Sequence, residues 1–366
     1  MIASTNNPMG TDGFEFIEYT AEDTETLAGL FERMGFTAVA RHRSKEVVLY
    51  RQGDINFIIN HEPDSFGQGF ARRHGPSVCA FAIRVKDATR AYKRAIELGA
   101  EPFRGMIGPM ELNIPAIRGI GGSLIYLVDR YGENRSIYDV DFVPLETGRR
   151  SSIPGVPGVG LTEVDHLTHN VQEGRMDEWA QFYERLFNFK EIRYFDIHGQ
   201  ATGLRSRAMV SPCGKIRIPI NEPSDPKSQI QEYLKIYHGE GIQHIALSTG
   251  NIYTTVERLG DNGIRFMEVP KTYYEAIDRR IPGHSEDLDR LRKNRILIDA
   301  APHPDPLPKR ARKGGVGLLL QIFTETVIGP IFFEIIERKG NEGFGEGNFQ
   351  ALFEAIERDQ MRRGVI

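Results

Sequence analysis

Two halves of this 366-residue chain repeat one another, which restricts the fold to paired copies of one supersecondary unit. The first half carries GFEFIEYT at 13–20, SVCAFAI at 77–83 and GGSLIYLV at 121–128. The second carries VDHLTHN at 164–170, GIQHIAL at 241–247 and GPIFFEII at 329–336. All six segments are dense in β-branched, aromatic or other apolar residues and read as strands. Helical periodicity follows the first strand of each half: Leu27, Leu30, Phe31 and Met34 answer Trp179, Phe182, Tyr183 and Leu186, with a two-residue insertion in the second copy. After the middle strand, DATRAYKRAIELGAEPF at 87–103 answers NIYTTVERLGDNGIRF at 251–266. Each is amphipathic and closed by a glycine, Gly99 or Gly263, where a helix needs a C-terminal cap. The expected fold is therefore α+β, with two βαβββ-like units in each half.

SSIPGVPGVG at 151–160 has the proline and glycine density of a boundary, placing the domains at 1–150 and 151–366. The length allows a full hydrophobic core in each. A second irregular stretch, 299–317, contains prolines that exclude regular helix or central strand, and its basic cluster (Lys309, Arg310, Arg312, Lys313) reads as a solvated loop. NFQALFEAIERDQMRRG at 348–364 reads as a final amphipathic helix, with Asn348 as N-cap and Phe349, Leu352, Phe353 and Ile356 as its apolar stripe. A formal net charge of −4 gives no reason to expect nucleic acid or an anionic membrane as partner. Cys79 and Cys213 lack zinc-type spacing and suit a reducing, cytoplasmic setting. The N-terminus shows no signal-peptide pattern and no stretch has the length of an apolar membrane span.

The halves differ at three points. His166, His244 and Glu334 sit in the strands of the second half, where alignment of the first half places Phe16, Ala80 and Leu127. That asymmetry predicts one metal site per chain. Two neutral imidazoles and one carboxylate leave adjacent coordination positions open, the arrangement of non-haem Fe(II) oxygenases. Glu334 is the most telling of the three, because a carboxylate in an apolar strand must be paired or bind a cation to offset its desolvation. Strand alternation puts His166 and Thr168 on one face and Leu167 and His169 on the other; likewise Phe332 shares the face of Glu334 while Phe333 points away. His42, His61, His74, His198, His238, His284 and His303 lie in polar or loop-like contexts and read as surface residues. GFGEGNF at 343–349 lacks the strand–turn–helix context of a dinucleotide site and reads as a tight, movable turn leading to the last helix.

With these residues in place the chain closely resembles the 4-hydroxyphenylpyruvate dioxygenase family of the vicinal oxygen chelate superfamily. The resemblance rests on SRAM (206–209), IPINEP (218–223), KSQIQEYL (227–234), GEGIQHIAL (239–247), LLQIFT (319–324), FFEIIERKG (332–340) and GFGEGNF (343–349), in that order. It implies two glyoxalase-like open barrels: a metal-free, structural N-terminal one and a catalytic C-terminal one closed by the final helix. It implies one Fe(II) per chain on His166, His244 and Glu334, and 4-hydroxyphenylpyruvate and O2 as reactants. The 2-oxo acid would chelate the iron, lose CO2, and undergo ring hydroxylation with side-chain migration to homogentisate, in tyrosine and phenylalanine catabolism. Position by position, Ser206, Asn221 and Gln229 resemble the group that orients the substrate, with Gln243 and Gln321 near the iron and the oxygen. Phe323, Phe332, Phe344 and Phe349 resemble aromatic walls that keep the site dry. Asn348 matches an asparagine at the base of the closing helix. A homo-oligomer, dimer or tetramer, is implied as well.

Two related activities stand beside this one. A 4-hydroxymandelate synthase uses the same substrate and iron but hydroxylates the benzylic carbon; in the resemblance, Pro219 and Asn221 match the homogentisate-forming pattern. A glyoxalase-like isomerase also uses paired βαβββ units but requires a fourth protein ligand, and none is evident. Glu346 departs from the resemblance, standing where plant-type members carry a basic residue.

Overall fold

The structure, a computed structural model, describes residues 7–132, 135–145, 158–198, 203–300 and 317–351. In the first half the strands are β1 (Phe14–Thr20), β2 (Thr37–His42), β3 (Val47–Gln52), β4 (Ile55–Asn60), β5 (Ser77–Arg84), β6 (Pro102–Phe103), β7 (Ala116–Arg118), β8 (Leu124–Val128) and β9 (Phe142–Pro144). In the second they are β10 (Leu161–Asn170), β11 (Lys190–His198), β12 (Gly203–Val210), β13 (Arg217–Pro223), β14 (Gly241–Thr249), β15 (Leu297–Ala300), β16 (Leu318–Phe323) and β17 (Phe332–Lys339). The sheet orders are β6-β7-β8-β5-β1-β4-β3-β2-β9 and β11-β12-β13-β10-β14-β17-β16-β15. Read in opposite directions the two orders coincide, apart from β9, so each half is two βαβββ units joined side by side into a curled half-barrel of the glyoxalase type.

The helices following the first strand of each unit are Thr24–Arg33, Ala88–Glu97, Met176–Phe187 and Ile252–Asp261. Asp23, Asp87 and Asn251 cap three of them by accepting backbone N–H bonds. Gly99 and Gly263 take φ of +86° and +83° just beyond two of them, the left-handed step that an L side chain resists. The apolar stripes read from the sequence face inward, with Leu27, Leu30 and Phe31 buried in the first helix and Tyr183 and Leu186 in the third.

The convex faces of the two sheets share one continuous hydrophobic core, to which β1 contributes Ile17 and Tyr19, β4 Phe57, β10 Leu167 and β17 Phe333. The Phe57 and Phe333 rings stack across it, 6.0 Å between centroids. Polar clamps join the halves at the edges. The Gln52 side chain donates to the Met34 carbonyl (2.9 Å) and accepts from the Val159 N–H (2.6 Å), and His74 Nδ1 meets the Tyr237 carbonyl at 2.7 Å. The concave faces are left for other uses. Among the described residues no helix is long and apolar enough to cross a membrane.

Three readings change. Register pairs Ala80 with Leu124 and Ala82 with Tyr126 in the first half, but His244 with Phe332 and Ala246 with Glu334 in the second. With Ala80 equivalent to His244, the counterpart of Glu334 is Tyr126 and not Leu127, which points into the shared core. Asn348 is not an N-cap: helical residues run from 346 to 351, and its N–H already bonds the Gly345 carbonyl. His42 and His74 are buried, and the His284 side chain is only 5% exposed, so these three are not surface residues. Much of the 151–160 linker, the basic cluster at 309–313, His303 and the apolar stripe of the last helix beyond 351 lie outside the described residues.

Candidate metal centre

β10 is the spine of the site. Its parallel partner β13 places Asn221 beside Asn170, and its antiparallel partner β14 places His244 opposite Thr168 and Ala246 opposite His166. Residues directly paired across a ladder share a face, so the row can be followed outward. Ser206 lies opposite Asn221 and Ala208 opposite Pro219 on β12; Glu334 lies beside Ala246 and Phe332 beside His244 on β17; Phe323 lies opposite Glu334 and Gln321 opposite Ile336 on β16. One concave face therefore holds His166, His244, Glu334, Ser206, Pro219, Asn221, Gln321, Phe323 and Phe332. His169 is on the other face, bonded to the Tyr183 hydroxyl at 2.7 Å, and burial pushes its imidazole down to about 3.

At the centre, one ligating atom from each of His166, His244 and Glu334 lies within 4.8 Å of the other two. His166 Nε2 is 3.2 Å and His244 Nε2 3.4 Å from the same carboxylate oxygen, Glu334 Oε2. All three residues are buried. Burial alone would raise the Glu334 carboxyl, but the His166 and His244 imidazoles outweigh it and hold it at about 2. Burial lowers the His244 imidazole, while for His166 burial is overcome by Glu334 and Asp165, which raise it. A buried carboxylate anion faced by two imidazole nitrogens is a donor set that a divalent cation satisfies, leaving room for further ligands. The residues fit a metal ion.

Both histidines are held from behind. Asp165 Oδ1 lies 2.8 Å from His166 Nδ1, fixing the ring so that Nε2 faces Glu334. Asp165 can do so because the ladder slips between Val164 and His166, a bulge that turns two consecutive side chains toward the site. Arg338 closes the other side of that carboxylate with two bonds, Nε to Oδ2 at 2.7 Å and Nη2 to Oδ1 at 2.8 Å. Although burial works against ionisation, this guanidinium and His166 keep the Asp165 carboxyl far below the usual carboxylate range. Gln243 Oε1 lies 3.0 Å from His244 Nδ1 and so favours the tautomer with an unprotonated Nε2, which lies 2.9 Å from the Thr168 hydroxyl. Phe332 stacks on the His244 ring at 4.9 Å, Phe323 stands edge-on to Phe332 at 5.9 Å, and Phe344 closes on His166 at 5.5 Å.

The remaining residues separate. Asn221 Nδ2 reaches Asn170 Oδ1 at 3.4 Å, and Ser206 is buried in the same row. Gln321 is 1% exposed, its Oε1 has no partner among the described residues, and Gly345 passes so close that any side chain there would strike it. Gln229 is exposed, at the first residue of the helix Gln229–Ile236. Asn348 is buried, but its Oδ1 accepts from the Tyr273 hydroxyl at 2.6 Å and from Arg280 at 3.2 Å, binding the last helix to the helices Lys271–Tyr274 and Ile277–Arg280. Phe349, the next residue, is half-buried. Asp165, Asn170 and Arg338 escaped sequence reasoning. The argument applied to Glu334, a charge in an apolar strand, applied equally to Asp165, and period-two alternation puts Arg338 on the face of Glu334.

Curled sheets of paired βαβββ units with three convergent ligands define the metal-dependent glyoxalase and dioxygenase class. Residues 5–143 match the family model described as hydroxyphenylpyruvate dioxygenase, N-terminal, and residues 163–276 match that of the glyoxalase/bleomycin resistance protein/dioxygenase superfamily. The chain is 61% identical to hemolysin VllY of Vibrio vulnificus, covering 98% of both chains. It is 59% identical to the 4-hydroxyphenylpyruvate dioxygenase of Pseudomonas aeruginosa, covering 99% of this chain and 98% of that one. A solved fusion of a xylose isomerase-like TIM barrel with a 4-hydroxyphenylpyruvate dioxygenase superimposes with a TM-score of 0.76 at 35% identity, over 96% of this chain and 54% of that one. The chain belongs to the 4-hydroxyphenylpyruvate dioxygenase family and is an enzyme of that class.

Proposed function

We propose that the chain binds one Fe(II) through His166, His244 and Glu334 and converts 4-hydroxyphenylpyruvate and O2 to homogentisate and CO2. The observation that carries this reading is the convergence of three buried ligating atoms within 4.8 Å on one sheet face. Bound there, Fe(II) would offer a redox-active site for O2 and a Lewis-acidic point of chelation for a 2-oxo acid, whose oxidative decarboxylation supplies the electrons. The protein's part is binding, orientation and exclusion of water. Ser206, Asn221 and Gln321, with Asn170, offer neutral donors and acceptors that position a phenol or keto acid without adding charge beside the metal. Pro219 removes a donor from the strand between them and stiffens that wall. Phe323, Phe332 and Phe344 keep the reacting carbon away from bulk water. Gln243 holds the His244 tautomer, while Gln229, Asn348 and Phe349 belong to elements at the rim, where a substrate enters and the last helix closes.

Under this reading residues 151–366 are the catalytic barrel and 1–150 a structural one that supports a cytoplasmic homo-oligomer, dimer or tetramer. Support for the last point comes from Met106, Ile107 and Met110, which are 80%, 50% and 85% exposed on one loop of the N-terminal half. Among the described residues no further His, Cys, Asp or Glu joins the triad.

Anaerobic loading with Fe(II), then addition of 4-hydroxyphenylpyruvate and air, tests the reading. Consumption of O2, release of CO2 and homogentisate as the aromatic product by mass spectrometry and NMR are expected. Turnover that proceeds without O2 overturns it, and 4-hydroxymandelate as sole product moves the site to the benzylic chemistry. A sharper test of the substrate wall is Asn221→Ile, which removes the amide aligned with Ser206 and Asn170. It is expected to redirect product or lower kcat/KM by about tenfold, the weight of one hydrogen bond. Unchanged rate and product would remove Asn221 from the substrate wall.

A further inference from the structure

The concave face of the N-terminal sheet encloses a cavity of about 740 Å³, within the range of small-molecule sites. It occupies the place that the metal centre occupies in the other half. Its lining includes Phe16 and Tyr126, the register counterparts of His166 and Glu334, and Glu18, the counterpart of Thr168. Phe16 and Tyr126 lie 5.6 Å apart, and Tyr92 and Phe103 add two more aromatic walls. Among the described residues this half-barrel carries no metal-ligating set, but it encloses a pocket.

The charges around the cavity are unevenly matched. Glu111 is paired with Lys45 at 2.7 Å and also accepts from Ser44 and the Gly108 N–H. Asp141 accepts from the Leu112 N–H. Burial lowers the His42 imidazole. Glu18 differs from all of these: it is 8% exposed, its carboxylate accepts from the Asn60 amide at 2.7 Å, and among the described residues no cation stands within ion-pair distance, Lys45 acting on it only from farther away. Burial raises its carboxyl, the direction expected of an acid lacking a counter-charge. A cation entering the cavity would offset that desolvation, and aromatic walls favour both an aryl body and an ammonium head.

We propose that this cavity binds a small aromatic molecule carrying a protonated amine, with Glu18 as its anionic partner and Phe16, Tyr92, Phe103 and Tyr126 as its walls. The site is independent of the metal centre, and its ligand need not be a reactant there. The test is calorimetric titration of the intact protein with 2-phenylethylamine, with 3-phenylpropionate as an anion of similar shape. The amine is expected to bind one per chain and the acid at least about tenfold more weakly. Glu18→Gln should weaken the amine by about tenfold or more, the weight of a charge-assisted bond, with 4-hydroxyphenylpyruvate turnover unchanged. Tyr92→Ala, at a half-buried helix position, should weaken it as well and decides the matter if Glu18→Gln does not fold. Glu334→Gln should leave amine binding intact, which separates this cavity from the metal centre. Absence of amine binding, equal binding of the acid, indifference to both N-terminal variants, or loss in Glu334→Gln overturns the proposal.

Discussion

Glu334→Gln is expected to fold, to lose bound iron and to show no measurable turnover. The substitution keeps the shape of a side chain that is 3% exposed while removing its charge. Two imidazoles and a neutral amide then face a divalent cation with no anion among them, and only the amide oxygen, a weaker ligand than a carboxylate, has a lone pair to offer. Loss of an outer partner of a metal ligand already costs about 10–100-fold in affinity, and the loss here is of a ligand itself. His166→Ala should behave alike, since its Nε2 approaches the same Glu334 oxygen as that of His244. Metal content after dialysis against a chelator, circular dichroism and O2 consumption measure the three parts of the expectation. A folded Glu334→Gln enzyme that retains iron and turnover would mean that the triad is a structural ion pair and the chemistry lies elsewhere. A non-catalytic binding module predicts that result, so the variant separates the two readings.

How far the site was readable from sequence follows from which interactions are local. Strand alternation is local, and it put Thr168 with His166, and Phe332 with Glu334, on one face, as the register shows. The repeat supplied the contrast that singled out three residues among ten histidines and fifty carboxylates. Register between distant strands is not local. A slip of one residue moves a strand's side chains to its opposite face, and aligning GGSLIYLV by similarity alone chose Leu127 where hydrogen bonding chooses Tyr126. Asn348 failed for a related reason. An asparagine ahead of an amphipathic stretch has the chemistry of an N-cap, yet the same side chain bonds Tyr273 and Arg280 from elements some seventy residues earlier. His74 looked like a surface residue beside Arg72 and Arg73, and it is buried because the other half of the chain lies on it. What was legible is the periodic part; what was missed is set by tertiary partners.

The Asp165–Arg338 pair is the clearest case of a long-range partner, joining residues 173 positions apart, and it yields the second large effect. Arg338→Met is expected to destabilise the protein by about 3–5 kcal/mol and to weaken metal binding by about 10–100-fold. The stability loss arises because Asp165, 3% exposed at the side chain, keeps its charge while losing both guanidinium bonds; Arg217 remains 3.7 Å away and replaces them poorly. Arg338 also donates to the carbonyls of Asn341 (3.0 Å) and Gly343 (2.7 Å), so the same substitution frees the turn that carries Phe344 against His166. The metal effect arises because Asp165 would no longer be held where it orients His166 Nδ1. Arg338→Lys should recover part of the stability but less of the affinity, since an ammonium cannot reproduce the planar two-bond grip. Urea unfolding gives the first quantity and chelator competition the second. If Arg338→Met lowers stability while metal affinity and kcat stay at parental values, the pair is a structural clamp and His166 is oriented by Asp165 without help from the arginine. If both fall together and Arg338→Lys restores them unequally, the reach of the metal site extends from β10 through Asp165 to the turn that leads into the last helix.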